Sequence, residues 1–324
     1  RRGMTIAKPS VYGALDKIAA LGFLTKESDG YRSVEGMKVN VNKHLFRRGT
    51  GALARYGSGT TDVAAGVYVA VDNAAALENG MIIDTFNNNA TSGGTAGLDD
   101  SIIDEVDYAN NKISCTTDPG TDESNDYIYQ AGTRGNVPMG LEGIIDGYDS
   151  SGNVILSTFQ GITTTASSYM LANVVDNAAV NTPLTLDDLQ KTFELAEYVA
   201  GEQCSAIYTT YALRRKYLDI VAADKRYVNS LSLNGGWNAL EYSGGGEPVP
   251  IIADRHCIAN TMFFPCEKHL IQGYAEGAEW EWMERDGAVL SRIADKDEYE
   301  ATLFAYINFG TTKRTAHSVL RDRN

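Results

Sequence analysis

The feature that most constrains the fold is a change in hydrophobic period along the chain. Between Val67 and Leu156, short segments rich in β-branched and aromatic residues alternate with stretches of Gly, Asn, Asp and Pro. These segments are VYVAV, MIIDTF, IIDEVDY, KISCT, DYIYQ, GLEGIID and NVIL. Runs of this kind predict strands. The sequence therefore predicts a small antiparallel β region, with its longest polar loop, 87–100, exposed to solvent.

A second period, close to 3.6 residues, begins after this region. In TLDDLQKTFELAEYVAG, Thr185 can cap the first turn, Asp188 resembles the acidic partner of a capping box, and Gly201 can end the helix. The apolar stripe of this helix consists of Leu186, Leu189, Phe193, Ala196 and Ala200. A buried strand is predicted at 205–209 and a second helix at 211–223. Together with the strands before it, this segment predicts an α+β chain.

An earlier and longer helix is predicted over residues 28–57. Its apolar stripe is formed by Val34, Met37, Val41 and Leu45, which recur at spacings of three and four. Its other faces hold Lys38, Lys43, His44, Arg47 and Arg48. Gly49 and Gly51 weaken the helical pattern, so the helix could end there or continue towards Arg55.

The C-terminal part of the sequence predicts strands and turns. The glycine-rich stretch 234–246 is expected to be a connection, and VPIIAD and TMFFP are expected to be strands around a turn at RHCIAN. A hairpin is predicted between 278–283 and 288–293, around the turn residues Arg285–Asp286–Gly287. Residues 299–309 predict one long strand. One face of that strand is formed by Ala301, Leu303, Ala305, Ile307 and Phe309.

Length and composition limit the classes of function. With 324 residues, of which 43% are hydrophobic and 22% charged, the chain is expected to form roughly two soluble globular domains. The formal net charge of -14 argues against a free-standing nucleic-acid reader, which needs a basic surface. No apolar run approaches the roughly eighteen residues that a membrane span needs. The four cysteines show no disulfide-framework spacing, so we expect reduced thiols and a cytosolic chain.

One stretch concentrates side chains that can bind metals. PIIADRHCIANTMFFPCEKH, from Pro250 to His269, contains two of the four cysteines and two of the four histidines. Zinc sites are marked by close pairs such as C-x-x-C, but Cys257 and Cys266 lie nine residues apart. A turn at 258–261 could still bring the two thiols together. A metal site, a nucleophile with its base, and a pair of small buried residues are therefore the alternatives, and the last is the commonest.

Catalytic motifs are absent from the sequence. There is no G-x-S-x-G, no H-E-x-x-H and no phosphate-binding G-x-x-x-x-G-K-[ST] motif, and the histidines at 44, 256, 269 and 317 are scattered. We therefore predict no catalytic residue, no cofactor and no metal ligand. The absence of a catalytic constellation favours a structural or binding role.

The order of the segments resembles that of tailed-phage major capsid proteins. VEGMKVNVNKHLFRRGTGALA resembles their spine helix, and the segments from VYVAVDNAAALENGMIID to NDYIYQAGTRGNVPMGLEGIID resemble their peripheral β region. LTLDDLQKTFELAEYVAGEQCSAIYTTYALRRKYLDIVAADKRY resembles the helix, strand and helix of their axial domain, and NGGWNALEYSGGGEPVPIIADRHCIANTMFF resembles the segment that follows. EWEWMERDGAVLSRIADKDEYEATLFAYINFGTTKRTAHSVL resembles their C-terminal run. The resemblance spans most of the chain, from about Val34 to Leu320.

This resemblance implies a Hong Kong 97-like capsid fold, with a spine helix, a peripheral β region and a mixed α/β axial domain. The implied divisions are a remnant of the arm and extended loop (1–27), a peripheral domain (28–178), an axial domain (179–280) and C-terminal strands that return to both domains (281–324). In this family an N-terminal arm and an extended β-hairpin normally precede the spine helix. We therefore expect the gene to encode further residues before Arg1.

The function implied by the resemblance is that of a structural subunit. Such a subunit self-assembles into the hexamers and pentamers of an icosahedral capsid that encloses double-stranded DNA, in the host bacterial cytoplasm. Portal, scaffolding and decoration proteins are the implied partners. Lys38, Lys43, Arg47 and Arg48 are then expected to face the interior, near the DNA, with a solvated helix face as the alternative. Two other functions stay open: an encapsulin-type compartment shell, and a two-domain α/β enzyme with an unrecognised site.

Overall fold

A computed structural model describes most of the chain. The described residues are 40–57, 67–116, 125–145, 158–163, 170–171, 173–177, 180–223, 230–233, 237–244, 247–276, 281–284, 289, 291–292 and 299–324. The chain packs as two compact units, one formed by Arg1–Val41 with Gln272–Phe309 and the other by Asn42–Ile271 with Gly310–Asn324. The expected remnant at 1–27 and the expected strand at 153–156 lie outside the described residues. The domain boundaries implied by the resemblance stay predictions.

A six-stranded antiparallel sheet lies in the second of these units. Its strands are β1 (Ala52–Arg55), β2 (Val69–Ala70), β3 (Ile82–Phe86), β4 (Ser101–Asp107), β5 (Lys112–Cys115) and β6 (Tyr127–Gln130), in the order β1-β6-β3-β4-β5-β2. The five segments VYVAV, MIIDTF, IIDEVDY, KISCT and DYIYQ are confirmed as strands. Side chains alternate between the two faces, as the strand period requires. Ile83 is therefore fully buried, whereas Ile82 beside it is exposed.

The core of this sheet is continuous and apolar. It is formed by residues that include Leu53, Tyr56, Leu77, Ile83, Leu98, Ile103, Ile113 and Ile128. The polar loop 87–100 is mostly exposed, as predicted, but Leu98 enters the core.

A seven-stranded mixed sheet forms a second core in the same unit. After the short pair β7 (Thr158–Phe159) and β8 (Ile162–Thr163), its strands are β9 (Asn173–Val175), β10 (Ile207–Thr209), β11 (Ser230–Leu233), β12 (Trp237–Tyr242), β13 (Val249–Ala253), β14 (Met262–Phe264) and β21 (Ser318–Leu320). Their order is β11-β12-β13-β10-β14-β21-β9, with β10 parallel to β13 and β21 parallel to β9. The predicted strands in SAIYT, VPIIAD and TMFFP are confirmed.

The expected glycine-rich connection at 234–246 is wrong in its middle, where β12 pairs with both β11 and β13. Leu240 and Tyr242 are two residues apart and both pack against the core of the seven-stranded sheet. This period of two is what places the segment in a sheet despite the glycines around it.

Four helical segments are described: α1 at 40–45, α2 (Leu141–Ile145), α3 (Leu186–Ala200) and α4 (Tyr211–Ala223). The predictions for α3 and α4 are confirmed. The Thr185 hydroxyl accepts a hydrogen bond from the Asp188 N–H at 3.1 Å. Gly201 ends α3 with φ at 69° and donates its N–H to the Glu197 carbonyl at 2.8 Å. None of the helices that the structure describes is long and apolar enough to cross a membrane.

The long helix predicted at 28–57 does not continue beyond α1. Gly49 and Gly51 have φ angles of 81° and 99°, and Ala52–Arg55 is a strand that pairs with β6. A Cβ at Gly51 would lie 2.8 Å from the Thr133 carbonyl oxygen, so only glycine fits there.

The strand predicted for GLEGIID is also wrong, because Leu141–Ile145 forms the short helix α2. A short apolar run has no period that separates strand from helix. The side chain of Arg314 accounts for the helical end. Its Nε donates to the Ile144 carbonyl at 2.7 Å and its Nη2 donates to the Gly143 carbonyl at 3.2 Å, so it satisfies carbonyls that a helix end leaves free.

A two-stranded ribbon is formed by β15 (Leu270–Tyr274), β16 (Glu281–Trp282), β17 (Ser291–Arg292), β18 (Tyr299–Glu300), β19 (Leu303–Phe304) and β20 (Ile307–Thr311). We call this segment the ribbon. Its pairs are nested: β15 with β20, β16 with β19, and β17 with β18. The hairpin predicted between 278–283 and 288–293 is therefore wrong, because β16 and β17 each pair with the other half of the ribbon.

The single strand predicted at 299–309 is interrupted for a related reason. Residues 283–290 on one side of the ribbon stand opposite only residues 301–302 on the other side. Such unequal lengths cannot form a continuous ladder, so the pairing is divided into short strands.

Candidate functional site

The predicted basic residues after α1 lie in or beside the packed interior. Lys43 is 1% exposed, and its Nζ lies 2.8 Å from Oε1 of Glu78. The Nη2 of Arg48 donates to Oε1 of Glu142 at 2.7 Å. Arg47 is 7% exposed, and its Nε and Nη2 make no hydrogen bond within the part of the chain that the structure describes. The alternative of a solvated helix face is therefore wrong for Lys43 and Arg47.

The expected role of Lys38, Lys43, Arg47 and Arg48 beside DNA stays a prediction. Lys38 lies outside the described residues. Within one chain, Lys43 and Arg47 offer little surface to a phosphate group, and Arg48 is the described member of the set with the most exposed surface.

A close approach of the backbone explains how this segment is packed. Gly140 lies against the carbonyl oxygens of His44, Leu45 and Arg47, and a Cβ at Gly140 would overlap them. Burial, Arg47 and Lys43 together lower the pKa of His44 to about 4. The imidazole of His44 is therefore neutral near pH 7.

The turn at 254–257, in the stretch that concentrates cysteines and histidines, holds a neutral histidine. The Oδ1 of Asp254 accepts from the His256 N–H at 2.7 Å, and the Nε of Arg255 donates to Nε2 of His256 at 2.9 Å. Burial and Arg255 lower the pKa of His256 to about 4. Burial also raises the pKa of the Cys257 thiol. A neutral histidine beside a protonated thiol is not an activated nucleophile with its base.

Cys257 and Cys266 are not brought together. Strand β10 lies between β13 and β14, the two strands that the predicted turn connects. Cys257 interacts electrostatically with Arg47 and Asp254, whereas Cys266 interacts with Lys268 and Glu202. Both thiols are free and buried, as expected for small residues in or beside a sheet.

A different group of possible ligands forms around Cys266. Its Sγ, a nitrogen of His269 and a carboxylate oxygen of Glu202 all lie within 4.8 Å of one another. The sequence analysis missed this group because it searched for C-x-x-C pairs. Cys266 and His269 form a C-x-x-H pair, which is an equally close ligand spacing and could have been found. Glu202 carries no such signal, because it comes from a distant segment of the chain.

The remaining described thiols and imidazoles are packed core groups. Burial raises the pKa of Cys115 to about 11 and that of Cys204 to about 12. Burial lowers the pKa of His317 to about 4, and its Nδ1 accepts the Cys266 N–H at 3.0 Å. These groups stay neutral near pH 7, which suits a packed interior better than proton transfer.

Apolar side chains are exposed on two helices next to the seven-stranded sheet. Tyr198 in α3 is 89% exposed, and Val199 beside it is also exposed. In α4, Tyr211 and Leu218 are exposed, whereas Leu213 and Tyr217 are buried against the sheet. The two helices thus have one face in the core and apolar groups on the outer surface.

The ribbon buries little of its own surface. Four of the five residues of β15 are exposed. Tyr306 is 64% exposed, and its ring centroid lies 5.7 Å from that of Phe304.

Three solved structures resemble parts of the chain. The holo-SrpI encapsulin complex of Synechococcus elongatus is 12% identical, with a TM-score of 0.37 over 49% of this chain and 58% of that one. The capsid of cyanophage A-1(L) is 15% identical, with a TM-score of 0.40 over 60% of this chain and 61% of that one. A protein of Gordonia phage Cozz is 18% identical, with a TM-score of 0.32 over 56% of this chain and 58% of that one.

The chain thus matches less than two thirds of the length of each of these proteins. An encapsulin and a phage capsid are among them, the two kinds of shell that the order of the segments had suggested. No protein-family model and no curated protein matches the chain.

Proposed function

We propose that the chain is the structural subunit of an icosahedral tailed-phage capsid, whose copies assemble into hexamers and pentamers around double-stranded DNA. Portal, scaffolding and decoration proteins are its partners in this proposal, and assembly takes place in the host bacterial cytoplasm. The first support is the order of the segments along the sequence. The mixed α/β architecture, with a β-rich half before a half that contains α3 and α4, agrees with that order.

The observation that carries the proposal is the unburied surface of the ribbon. A two-stranded hairpin is at best marginally stable alone in water. The described strands of the ribbon pair only with one another, and most residues of β15 are exposed. Neighbouring copies of the chain would cover this surface. A closed symmetric shell gives every copy the same neighbours.

The outer faces of α3 and α4 support the same conclusion. Exposed Tyr198 and Tyr211 are large, rigid and amphipathic, a type of side chain that is enriched in protein interfaces. Weak contacts of this kind become effective when many of them act together in one assembly.

The chemistry of the described residues agrees with a structural role. His44, His256 and His317 all have a pKa lowered to about 4, and burial raises the pKa of each of the four cysteines. Groups held neutral in this way are poor nucleophiles and poor proton carriers near pH 7.

Assembly of the complete gene product tests the proposal. We expect light scattering and negative-stain microscopy of the purified protein to show closed particles or capsomer rings. A protein that stays monomeric at high concentration and under crowded conditions would contradict a shell function of either kind.

The contents of the particles separate the two kinds of shell. Particles isolated with the rest of the phage genes expressed should protect double-stranded DNA from nuclease. Particles that instead hold a folded enzyme and no protected DNA would replace the capsid proposal by an encapsulin-type compartment.

A further inference from the structure

Three possible metal ligands converge beside the end of α3. Cys266 and His269 lie at the two ends of a short 3-10 turn, Glu267–His269 with Cys266 as its cap. Side chains three residues apart point to the same side of such a turn. Glu202 follows Gly201, the residue that ends α3. The ligand atoms of Glu202, Cys266 and His269 all lie within 4.8 Å of one another.

The imidazole of His269 is oriented as in protein metal sites. Its Nδ1 lies 2.9 Å from the Thr312 hydroxyl, so that nitrogen has a hydrogen-bond partner. Its Nε2 is buried and makes no hydrogen bond within the described residues, although Oε1 of Glu202 lies 3.5 Å away. Histidine ligands of metals usually bind the ion with one nitrogen while the other nitrogen holds a hydrogen-bond partner. Thr312 has the position of that partner.

The two oxygens of Glu202 have different surroundings. Oε2 accepts a hydrogen bond from the Lys268 ammonium. Oε1 faces His269 and lies 3.9 Å from Nζ of Lys313. The Lys313 ammonium donates to the Ala200 carbonyl at 2.7 Å, so it already has a closer partner. Oε1 can therefore bind an ion while Oε2 keeps its pair with Lys268.

We propose that Glu202, Cys266 and His269 bind a zinc-class divalent ion through Oε1, Sγ and Nε2, with water as the fourth ligand. Thiolate, imidazole and carboxylate are the three ligand types that zinc takes in proteins. On binding, the Cys266 thiol loses its proton to solvent and the sulfur bonds to the ion. The ion then joins the residue after α3 to the turn that precedes β15. This site is independent of the proposed shell function.

The test uses the complete protein without a histidine tag, stripped with chelator and then loaded with one equivalent of zinc. We expect about one zinc per chain by elemental analysis. Cobalt in place of zinc should give a thiolate-to-cobalt charge-transfer absorption. Cys266→Ser should abolish that absorption, and His269→Gln should abolish zinc retention. Cys204→Ser is the matched control, because it removes a neighbouring buried thiol that is not a ligand and should leave both readouts unchanged.

Two further variants separate a metal site from a simple ion pair. Thr312→Val leaves all three ligands in place and should weaken binding by about 10- to 100-fold, the usual effect of removing the partner of a metal-bound histidine. Lys268→Met removes a competing cation and should tighten binding.

Folded wild-type protein that retains no zinc after loading, or that shows no thiolate absorption with cobalt, would overturn the proposal. Equal zinc retention by wild type and by His269→Gln would do the same. The wild-type cobalt spectrum decides the question even if a ligand variant does not fold.

Discussion

The six-stranded sheet and the ribbon are both built from short antiparallel strands, but they differ in what they bury. In the sheet, every strand supplies side chains to one core, and Leu53, Ile103 and Ile128 have almost no exposed surface. In the ribbon, β15 exposes four of its five residues. Strand pairing alone therefore does not stabilise a β segment, because the apolar surface that it removes from water supplies most of the free energy.

This difference separates two kinds of surface in the chain. The two sheets have cores of their own and should fold within one copy. The ribbon and the outer faces of α3 and α4 should gain their stability from neighbouring copies. Substitutions in the first group should change the free energy of unfolding, and those in the second should change assembly.

The largest effect is expected for Ile83→Asp in β3. A carboxylate buried there without a partner costs several kcal/mol, and a typical domain is stable by only about 5–15 kcal/mol. We expect loss of soluble folded protein, measured by expression yield and circular dichroism. Ile82→Asp is the matched control on the exposed face of the same strand, and it should fold. Equal yields of the two variants would contradict the assigned faces of the sheet.

The next largest effect is expected for Phe193→Ala in α3. Phe193 is buried, and its ring lies 5.6 Å from that of Tyr242. Truncation of such a ring typically costs about 3–5 kcal/mol, measured by chemical denaturation. Tyr198→Ala in the same helix should change the free energy of unfolding by less than about 0.5 kcal/mol, and it should lower the yield of particles. A Tyr198→Ala protein that assembles normally would remove α3 from the proposed contacts.

Acid should destabilise the sheets through their buried histidines. His44 has a folded pKa lowered to about 4, whereas an unfolded histidine titrates near 6.5. Between these values the unfolded chain binds more protons than the folded chain, so the free energy of unfolding is highest above pH 6.5 and falls as the pH approaches 4. The contribution of His44 is on the order of 2–3 kcal/mol.

Denaturation curves between pH 7 and pH 4.5 measure this slope. His44→Gln should make the slope shallower than that of wild type. Residues 270–311 contain no histidine, so the ribbon lacks this source of acid sensitivity. An unchanged wild-type free energy of unfolding across this range would contradict the neutral state of the buried histidines.

The smallest effect on folding is expected at the cap of α3. Thr185→Ala removes the hydroxyl that accepts the Asp188 N–H, and loss of such a cap typically costs about 1 kcal/mol. Thr185→Ser keeps the hydroxyl and should match wild type in thermal unfolding. A loss of the same size in both variants would show that the methyl group, and not the cap, is important.

Elements with local signals could be predicted from the sequence. Both ends of α3 are marked by residues that act on their own backbone, Thr185 at the start and Gly201 at the end. The five strands β2 to β6 follow from their period of two and their flanking turn residues. The helix α2 could not be identified in this way, because its short apolar run lacks a decisive period and its end is satisfied by the distant Arg314.

Features that depend on distant partners were not predictable. Lys43 has the sequence context of a solvated helix face, but Glu78 and the surrounding chain enclose it. The nested pairing of the ribbon depends on which strand meets which, and no local turn signal determines that. The ligand group at Cys266 combines a local spacing with Glu202, and only the fold brings Glu202 to it.

Hydrogen exchange of assembled and dissociated protein tests the central claim most directly. We expect amides of β15 and β20 to be protected in particles and to exchange rapidly in dissociated subunits. Amides of β3 and β4 should be protected equally in both states, because their core lies within one copy. A ribbon with the same protection in subunits and in particles would contradict the account, because its stability would then not come from neighbouring copies.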